Sequence, residues 1–271
     1  MSGHLIDLPD PNGVAANGTA TADIPRIGAY RKLNILYEPG GTPANLATMT
    51  SDIEEIRLRI NGVDQWVVSA DELIKLNSIY GKTYVDGRLP CFFAEPHRRT
   101  VMGEDATIWG MGDVSSFQLS VKIASGAVSP QLRLSALREP GARPMGEIRK
   151  LKRFNLPVSN TGMNWFEPPT NDDYRAIHMQ TSNISNVRVL VDDKQKINET
   201  VAALNDQMDD QNLVPVSGWS SIMFDDDRRV ASMLFMRPDG APAVQDLRVG
   251  VNMTAATGFD YLTETVGLRD A

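Results

Sequence analysis

The feature that most constrains this chain is an internal duplication, in which four segments of the first half recur in the same order in the second half. The copies lie 144 residues apart for the first pair and 130 or 131 residues apart for the other three. Self-similarity at a nearly constant spacing predicts that one structural unit is built twice. The matched pairs are residues 30–35 with 174–179, 53–62 with 184–193, 92–99 with 223–229, and 114–123 with 244–253.

The matched segments have the pattern of strands that bury one face. In the fourth pair, apolar residues occupy every second position from Phe117 to Ile123 and again from Leu247 to Met253, which is the side-chain period of a strand. The second pair ends in Asn61-Gly62 and in Asp192-Asp193, residue types that favour two-residue hairpin turns. Each copy is therefore expected to contain strands joined by tight turns.

This pattern predicts an all-β fold, two tandem jelly-roll β-sandwiches that form a double jelly roll with short helices in loops. Helices are expected at residues 69–77, where Ser69 and Glu72 have the spacing of a capping box, and at 198–205. The expected divisions are an N-terminal arm over 1–27, a first jelly roll over 28–137, a linker over 138–169 and a second jelly roll over 170–271.

The arm and the linker are assigned from their composition. Residues 9–25 are rich in Gly, Asn, Thr, Ala and Pro, which favours irregular structure, and the linker is interrupted repeatedly by Pro and Gly. Its aromatic side chains Phe154, Trp165 and Phe166 are expected to wedge between the two domains. The basic run at 149–153 is expected to be a solvated connector.

Charge and cysteine content exclude several classes of protein. The net charge of −7 argues against direct binding of nucleic acid, which requires clustered Lys and Arg. Cys91 is the single cysteine and lies in an apolar run, so it is expected to be a small buried hydrophobe in a protein folded in a reducing cytoplasm. Neither a secretory signal nor an apolar run of about 18 residues is present, so neither secretion nor a membrane span is expected.

Motifs that would carry catalysis are missing from the sequence. It contains no glycine-rich phosphate loop and no Gly-x-Ser-x-Gly nucleophile elbow. The three histidines, His4, His97 and His178, are far apart and lack metal-ligand spacing. We therefore expect no catalytic residue, no cofactor-binding residue and no required cofactor.

A structural calcium ion is the one ligand that the sequence suggests. Asp225, Asp226 and Asp227 gather three hard oxygen donors at one corner, and calcium prefers such ligands. The alternative is that these residues only form a turn, as Asp-rich corners ordinarily do. We name the three as candidate ligands of a calcium site assembled across subunits.

Four tryptophans leave a second class of function open. Trp66, Trp109, Trp165 and Trp219 could stack on sugars if they were exposed on a sandwich face, although packing in a core or interface is the more usual role. A carbohydrate-binding or receptor-binding β-sandwich is therefore the alternative to a structural protein. A β-sandwich glycoside hydrolase or lyase is a further alternative, and it would require paired carboxylates in a groove.

The chain resembles the major capsid proteins of corticovirus-type phages, which are tailless icosahedral bacteriophages whose shell surrounds an internal membrane. The similarity covers roughly residues 28 to 260 and consists of short segments in a constant order. These segments are residues 30–37 followed by Gly41-Thr42-Pro43, then 56–62, 129–132, 174–178 and 187–192.

The resemblance implies a double jelly-roll subunit that trimerises into a pseudo-hexagonal capsomer standing on the lipid vesicle. The partners that follow are further copies of the chain, other capsid and membrane-associated virion proteins, and the internal membrane. It also suggests that calcium stabilises the capsid, although no motif carries over the ligands. The duplication supports the capsomer separately, since three chains with two similar sandwiches each supply six similar wedges around one axis.

Overall fold

In the computed structural model, the chain divides into two compact units. The first unit comprises Met1–Arg149 with Leu268–Ala271, and the second comprises Lys150–Gly267. The residues that the structure describes are 3–98, 100–225, 232–237 and 242–270.

Strands dominate both units, and the helices are short. The helices are α1 (Leu46–Asp52), α2 (Ala70–Ile79), α3 (Val101–Glu104) and α4 (Val201–Asp210). The strands of the first unit are β1 (His4–Asp7), β2 (Thr19–Asp23), β3 (Ala29–Tyr37), β4 (Ile53–Ile60), β5 (Val63–Val68), β6 (Arg88–Phe92), β7 (Trp109–Gly110), β8 (Phe117–Ile123) and β9 (Leu132–Glu139). The strands that follow are β10 (Ile148–Leu156), β11 (Gly162–Phe166), β12 (Asp173–Met179), β13 (Ile184–Val191), β14 (Lys194–Thr200), β15 (Ser220–Met223), β16 (Leu247–Met253) and β17 (Phe259–Gly267).

Each unit contains the same pair of four-stranded arrangements. In the first unit the orders are β1-β9-β3-β6, with β7 also on β3, and β2-β8-β4-β5. In the second unit they are β10-β17-β12-β15 and β11-β16-β13-β14. The two sets correspond strand for strand, and eight strands in this order form a jelly roll. The prediction of two tandem jelly rolls with helices in loops is confirmed.

The segment expected to be an irregular arm contains the first two strands of the first jelly roll. β1 pairs with β9, and β2 pairs with β8. Ala20 and Ala22 of β2 are buried, while the threonines beside them are exposed. Alanine has a weak strand propensity, so this alternation does not distinguish a strand from an irregular segment in the sequence.

The segment expected to be a linker likewise contains β10 and β11, the counterparts of β1 and β2. Phe154 and Phe166 pack on Tyr261 inside the second unit, with ring centroids 5.2 and 4.6 Å away. The basic run is only partly exposed, because Arg149 and Lys150 are buried while Lys152 and Arg153 are half-buried. Lys150 is buried, and its Nζ donates to both carboxylate oxygens of Asp172, at 2.8 and 2.9 Å.

Helices and turns lie where their local signals place them. Ser69 and Glu72 form a reciprocal capping box at the start of α2. α4 begins at Val201 with Thr200 as its N-cap, so the first residues of the predicted second helix belong to β14 instead. Both residues of each hairpin turn have positive φ, Asn61 and Gly62 at 53° and 83°, Asp192 and Asp193 at 47° and 62°, as a type I′ turn requires.

The two jelly rolls have separate cores of different character. The first is centred on aromatic rings, with Phe93 stacked on Trp109 at 4.2 Å and Trp66 packed edge-on against both. The second is mainly aliphatic, with the buried residues of β13 and β16 at its centre. Its central residues are Val187, Val189, Val191, Leu247, Val249 and Val251.

Candidate functional site

A buried charge cluster lies in the second jelly roll around Arg175 of β12. Nε of Arg175 donates to Oδ2 of Asp225 at 3.1 Å, and Nη1 lies 2.9 Å from Oε1 of Glu264. Nε2 of His178 lies 3.5 Å from the other oxygen of Glu264, and its Nδ1 is 2.9 Å from Oγ of Ser221. All of these side chains are buried, so the carboxylates depend on the guanidinium for charge compensation.

The first jelly roll places an arginine with carboxylates at the equivalent position of β3. The guanidinium of Arg31 contacts Glu104 at 2.7 Å, Asp105 at 2.5 Å and Glu139 at 2.7 Å. Burial lowers the pKa of Arg31, but Glu139 and Asp105 more than offset the effect, and the pKa is raised. Sequence reasoning missed this duplicated cluster, although a Tyr-Arg pair opens the first matched segment of each half.

The tyrosine beside each of these arginines repeats a second contact. The hydroxyl of Tyr30 donates to the carbonyl of Pro25, and that of Tyr174 donates to the carbonyl of Pro169, both at 2.6 Å. Burial raises the pKa of both phenols, so they remain donors at neutral pH. Each bond fixes the segment that enters the third strand of its jelly roll.

A third duplicated contact links each hairpin turn to a distant strand. Oδ1 of Asn61 accepts from the backbone N–H of Ser115 at 2.8 Å, and Oδ1 of Asp192 accepts from that of Gln245 at 2.9 Å. The turn residue thereby satisfies backbone donors just before β8 and β16. The two halves therefore share polar contacts that stabilise the fold, in addition to their strand order.

Asp225, one of the three candidate calcium ligands, contacts an arginine. Asp225 is buried and bonded to Arg175, and a carboxylate already neutralised by a guanidinium is a poor ligand for a cation. Asp226 and Asp227 lie outside the described residues. Within the described part of the chain, no group of three His, Cys, Asp or Glu side chains is placed to hold a metal.

The three histidines occupy unrelated environments. His4 is exposed on β1, His97 stacks on Tyr80 with centroids 4.1 Å apart, and His178 is buried in the charge cluster. The structure does not bring them together.

Cys91 is fully buried on β6, and burial raises the pKa of its thiol to about 12. Because the thiolate is the reactive form, we expect a thiol reagent at about pH 8 not to label the native protein. One thiol per chain should react once guanidinium unfolds the protein, as measured by the absorbance of the released chromophore. Rapid labelling of native protein would show that Cys91 is accessible.

Three of the tryptophans belong to cores, and one does not. Trp66 and Trp109 are fully buried in the first unit, and Trp219 is buried in the second. Trp165, on β11, is 42% exposed. Core packing therefore accounts for three of the tryptophans, and packing at an interface remains the prediction for Trp165.

Comparison with known proteins identifies the family. The sequence profile of the viral coat protein P2 N-terminal domain matches residues 5–139, and that of its C-terminal domain matches residues 148–268. No curated protein sequence matches the chain.

Several solved structures with a similar fold are those of capsid proteins. The major capsid protein P2 of bacteriophage PM2 is 16% identical, with a TM-score of 0.88 over 98% of both chains. The MCP of STIV is 13% identical, with a TM-score of 0.70 over 98% of this chain and 96% of the other. The PBCV-1 virus capsid chain is 10% identical, with a TM-score of 0.67 over 99% of this chain and 96% of the other.

The two family profiles together span both jelly rolls, the first from β1 to the end of β9 and the second from the start of β10 through β17. The resemblance seen in the sequence is therefore confirmed. The chain belongs to the viral coat protein P2 family and is a structural protein of the virion capsid.

Proposed function

We propose that this capsid protein forms a homotrimeric, pseudo-hexagonal capsomer of an icosahedral shell that surrounds an internal membrane. The observation that carries the proposal is the correspondence between the two units, which have the same strand orders and the same three polar contacts. Two equivalent wedges per chain give six around a threefold axis. A hexagonal lattice can then be tiled by a closed trimer.

The electrostatics of the chain support assembly with proteins rather than genome packaging. A net charge of −7 repels nucleic-acid phosphates, so direct contact with the genome is not part of the proposal. Among the described residues, no helix has the length and apolar character needed to cross a membrane. The proposed partners are further copies of this chain, other capsid proteins and the membrane-associated virion proteins of the internal vesicle.

Light scattering on purified full-length protein tests the proposal. We expect a species of three times the 29.8 kDa chain mass, stable on dilution to micromolar concentration. A monomer at every concentration and ionic strength would contradict the trimeric capsomer.

Calcium binding remains a prediction for this chain, and the same measurement tests it. If calcium bridges subunits, a chelator should lower the mass of the species, and added calcium should restore it. Asp225→Asn changes a residue bonded to Arg175, so it should lower the unfolding temperature with or without calcium. A trimer indifferent to chelator would assign the Asp-rich corner to a structural turn.

A further inference from the structure

The outer face of the sheet β11-β16-β13-β14 carries two exposed apolar side chains that lie side by side. Met163 and Trp165 of β11 are 40% and 42% exposed. Both lie over Gly250 of β16, where a Cβ atom would be 2.9 Å from Sδ of Met163 and from ring carbons of Trp165. The glycine thus leaves room for the two side chains to lie against the sheet.

An arginine with few partners lies in the same cross-strand row. Gly250 pairs with both Trp165 and Arg188, so the three share one face of the sheet. Nε of Arg188 makes a long hydrogen bond of 3.4 Å to the side chain of Asn198. Within the described part of the chain, no carboxylate forms an ion pair with Arg188. Trp, Met and Arg are among the residue types enriched in protein interfaces, and Trp and Arg are frequent hot spots of binding.

The first jelly roll provides an internal comparison for this face. The register of β2 with β8 places Thr19, Thr21 and Ser120 at the positions that Met163, Trp165 and Gly250 occupy in the second jelly roll. The same fold therefore accepts small polar residues at these positions. Stability of the sheet does not require an exposed tryptophan there.

The polar partners of the arginine on this face also differ between the two jelly rolls. Arg57, the counterpart of Arg188, is bonded to Glu55 at 2.6 Å and to Asp64 at 2.9 Å. The registers of β4–β5 and β13–β14 place Asn186 and Gln195 where the first copy has those two carboxylates. Each acid is thus replaced by an amide, and no carboxylate of the described residues compensates the charge of Arg188.

We propose that the Trp165 face, defined as Met163, Trp165, Gly250 and Arg188, is a contact surface for a neighbouring copy of this chain. Trp165 and Met163 are buried against the neighbour, and Arg188 receives a carboxylate from it. This inference rests on the proposed function, because it assigns part of the interface through which capsid subunits assemble.

Net charge and family membership both favour a second copy of this chain as the partner of the Trp165 face. The family to which the chain belongs builds a shell from many copies of one subunit. Each copy carries 34 acidic residues against 27 basic ones, so its surface offers an excess of carboxylates to an uncompensated guanidinium. Hydrogen bonds from Arg to carboxylate are among the stronger polar contacts at interfaces.

Tryptophan fluorescence can follow this face directly, because Trp66, Trp109 and Trp219 are buried within their units. We expect acrylamide to quench one component of the emission in dissociated protein. That component should be protected and blue-shifted in the assembled protein, whether capsomer or shell. Quenching that is equal in dissociated and assembled protein would overturn the proposal. Protection that appears only on addition of a glycan would assign the face to sugar binding instead.

Exchange variants test the assignment without changing the fold. Met163→Thr with Trp165→Thr introduces the residue type that the first jelly roll carries at these positions. The protein should fold normally, and the concentration for half-dissociation should rise at least about tenfold. Asn186→Glu with Gln195→Asp should also weaken assembly, because it compensates Arg188 within the chain. Met102→Thr, at a methionine 86% exposed elsewhere, is the control and should have no effect.

The outcomes separate this inference from the proposed function. Wild-type protein that stays monomeric would contradict the trimeric capsomer itself. A wild-type trimer and shell whose stability is unchanged by the exchange variants would leave the capsomer intact and overturn only the Trp165 face.

Discussion

Replacing Leu119 or Val249 by aspartate is expected to prevent the chain from folding. The two residues occupy equivalent positions on β8 and β16, and each is almost completely buried between the sheets of its jelly roll. A carboxylate there would lack a countercharge and would lose its hydration. The expected loss of about 4–5 kcal/mol or more is comparable with the whole stability of a domain, about 5–15 kcal/mol.

The measurement is the soluble yield of each variant, together with its circular dichroism and unfolding midpoint. Leu119→Met is the matched control, because it keeps the volume and the apolar character and should cost less than about 1.5 kcal/mol. A soluble trimer formed by either aspartate variant would show that the facing of these strands is wrong.

Replacing Arg175 by methionine is expected to have the second largest effect. The change leaves Asp225 and Glu264 buried without the guanidinium that they contact, and loss of one member of a buried ion cluster costs about 3–5 kcal/mol. Chemical denaturation measures this loss as a lower midpoint. Arg31→Met removes the counterpart in the first jelly roll, where the surrounding carboxylates reach solvent, and should cost roughly 1–2 kcal/mol.

A double variant shows whether charge or packing is responsible. Glu264→Gln in the Arg175→Met background removes the uncompensated carboxylate and should recover part of the lost stability, with a coupling of about 1–3 kcal/mol. Equal losses for Arg31→Met and Arg175→Met, without coupling to Glu264, would assign both effects to lost side-chain volume.

The strands that the sequence pattern predicts bury more apolar surface than the strands that it does not predict. β8 and β16 alternate bulky apolar residues with others, so the period of two is visible. β2 buries only alanines, and β10 buries Arg149 and Lys150 along with its apolar residues. Their pairing with β8 and β17 stabilises them as strands. Long-range pairing of this kind overrides local propensity and leaves little trace in the sequence.

The Asp-rich corner at residues 225–227 also shows that a local pattern does not reveal long-range contacts. A run of aspartates identifies oxygen donors but says nothing about which cations lie nearby. Arg175 is 50 residues from Asp225, and only the fold brings its Nε within hydrogen-bond distance. Asp225 is part of a buried ion cluster because it is bonded to this guanidinium.

Sequence patterns are sufficient to predict the duplication, the all-β class, the hairpin turns at Asn61 and Asp192 and the capped helix α2. These features depend on residues close together in the chain or on a pattern repeated along it. Three features are visible only in the tertiary structure. The arm and linker contain strands, Arg175 compensates Asp225 and Glu264, and Trp165 faces solvent over Gly250. Each of these depends on contacts between residues far apart in sequence, and such contacts exist only once the sheets have formed.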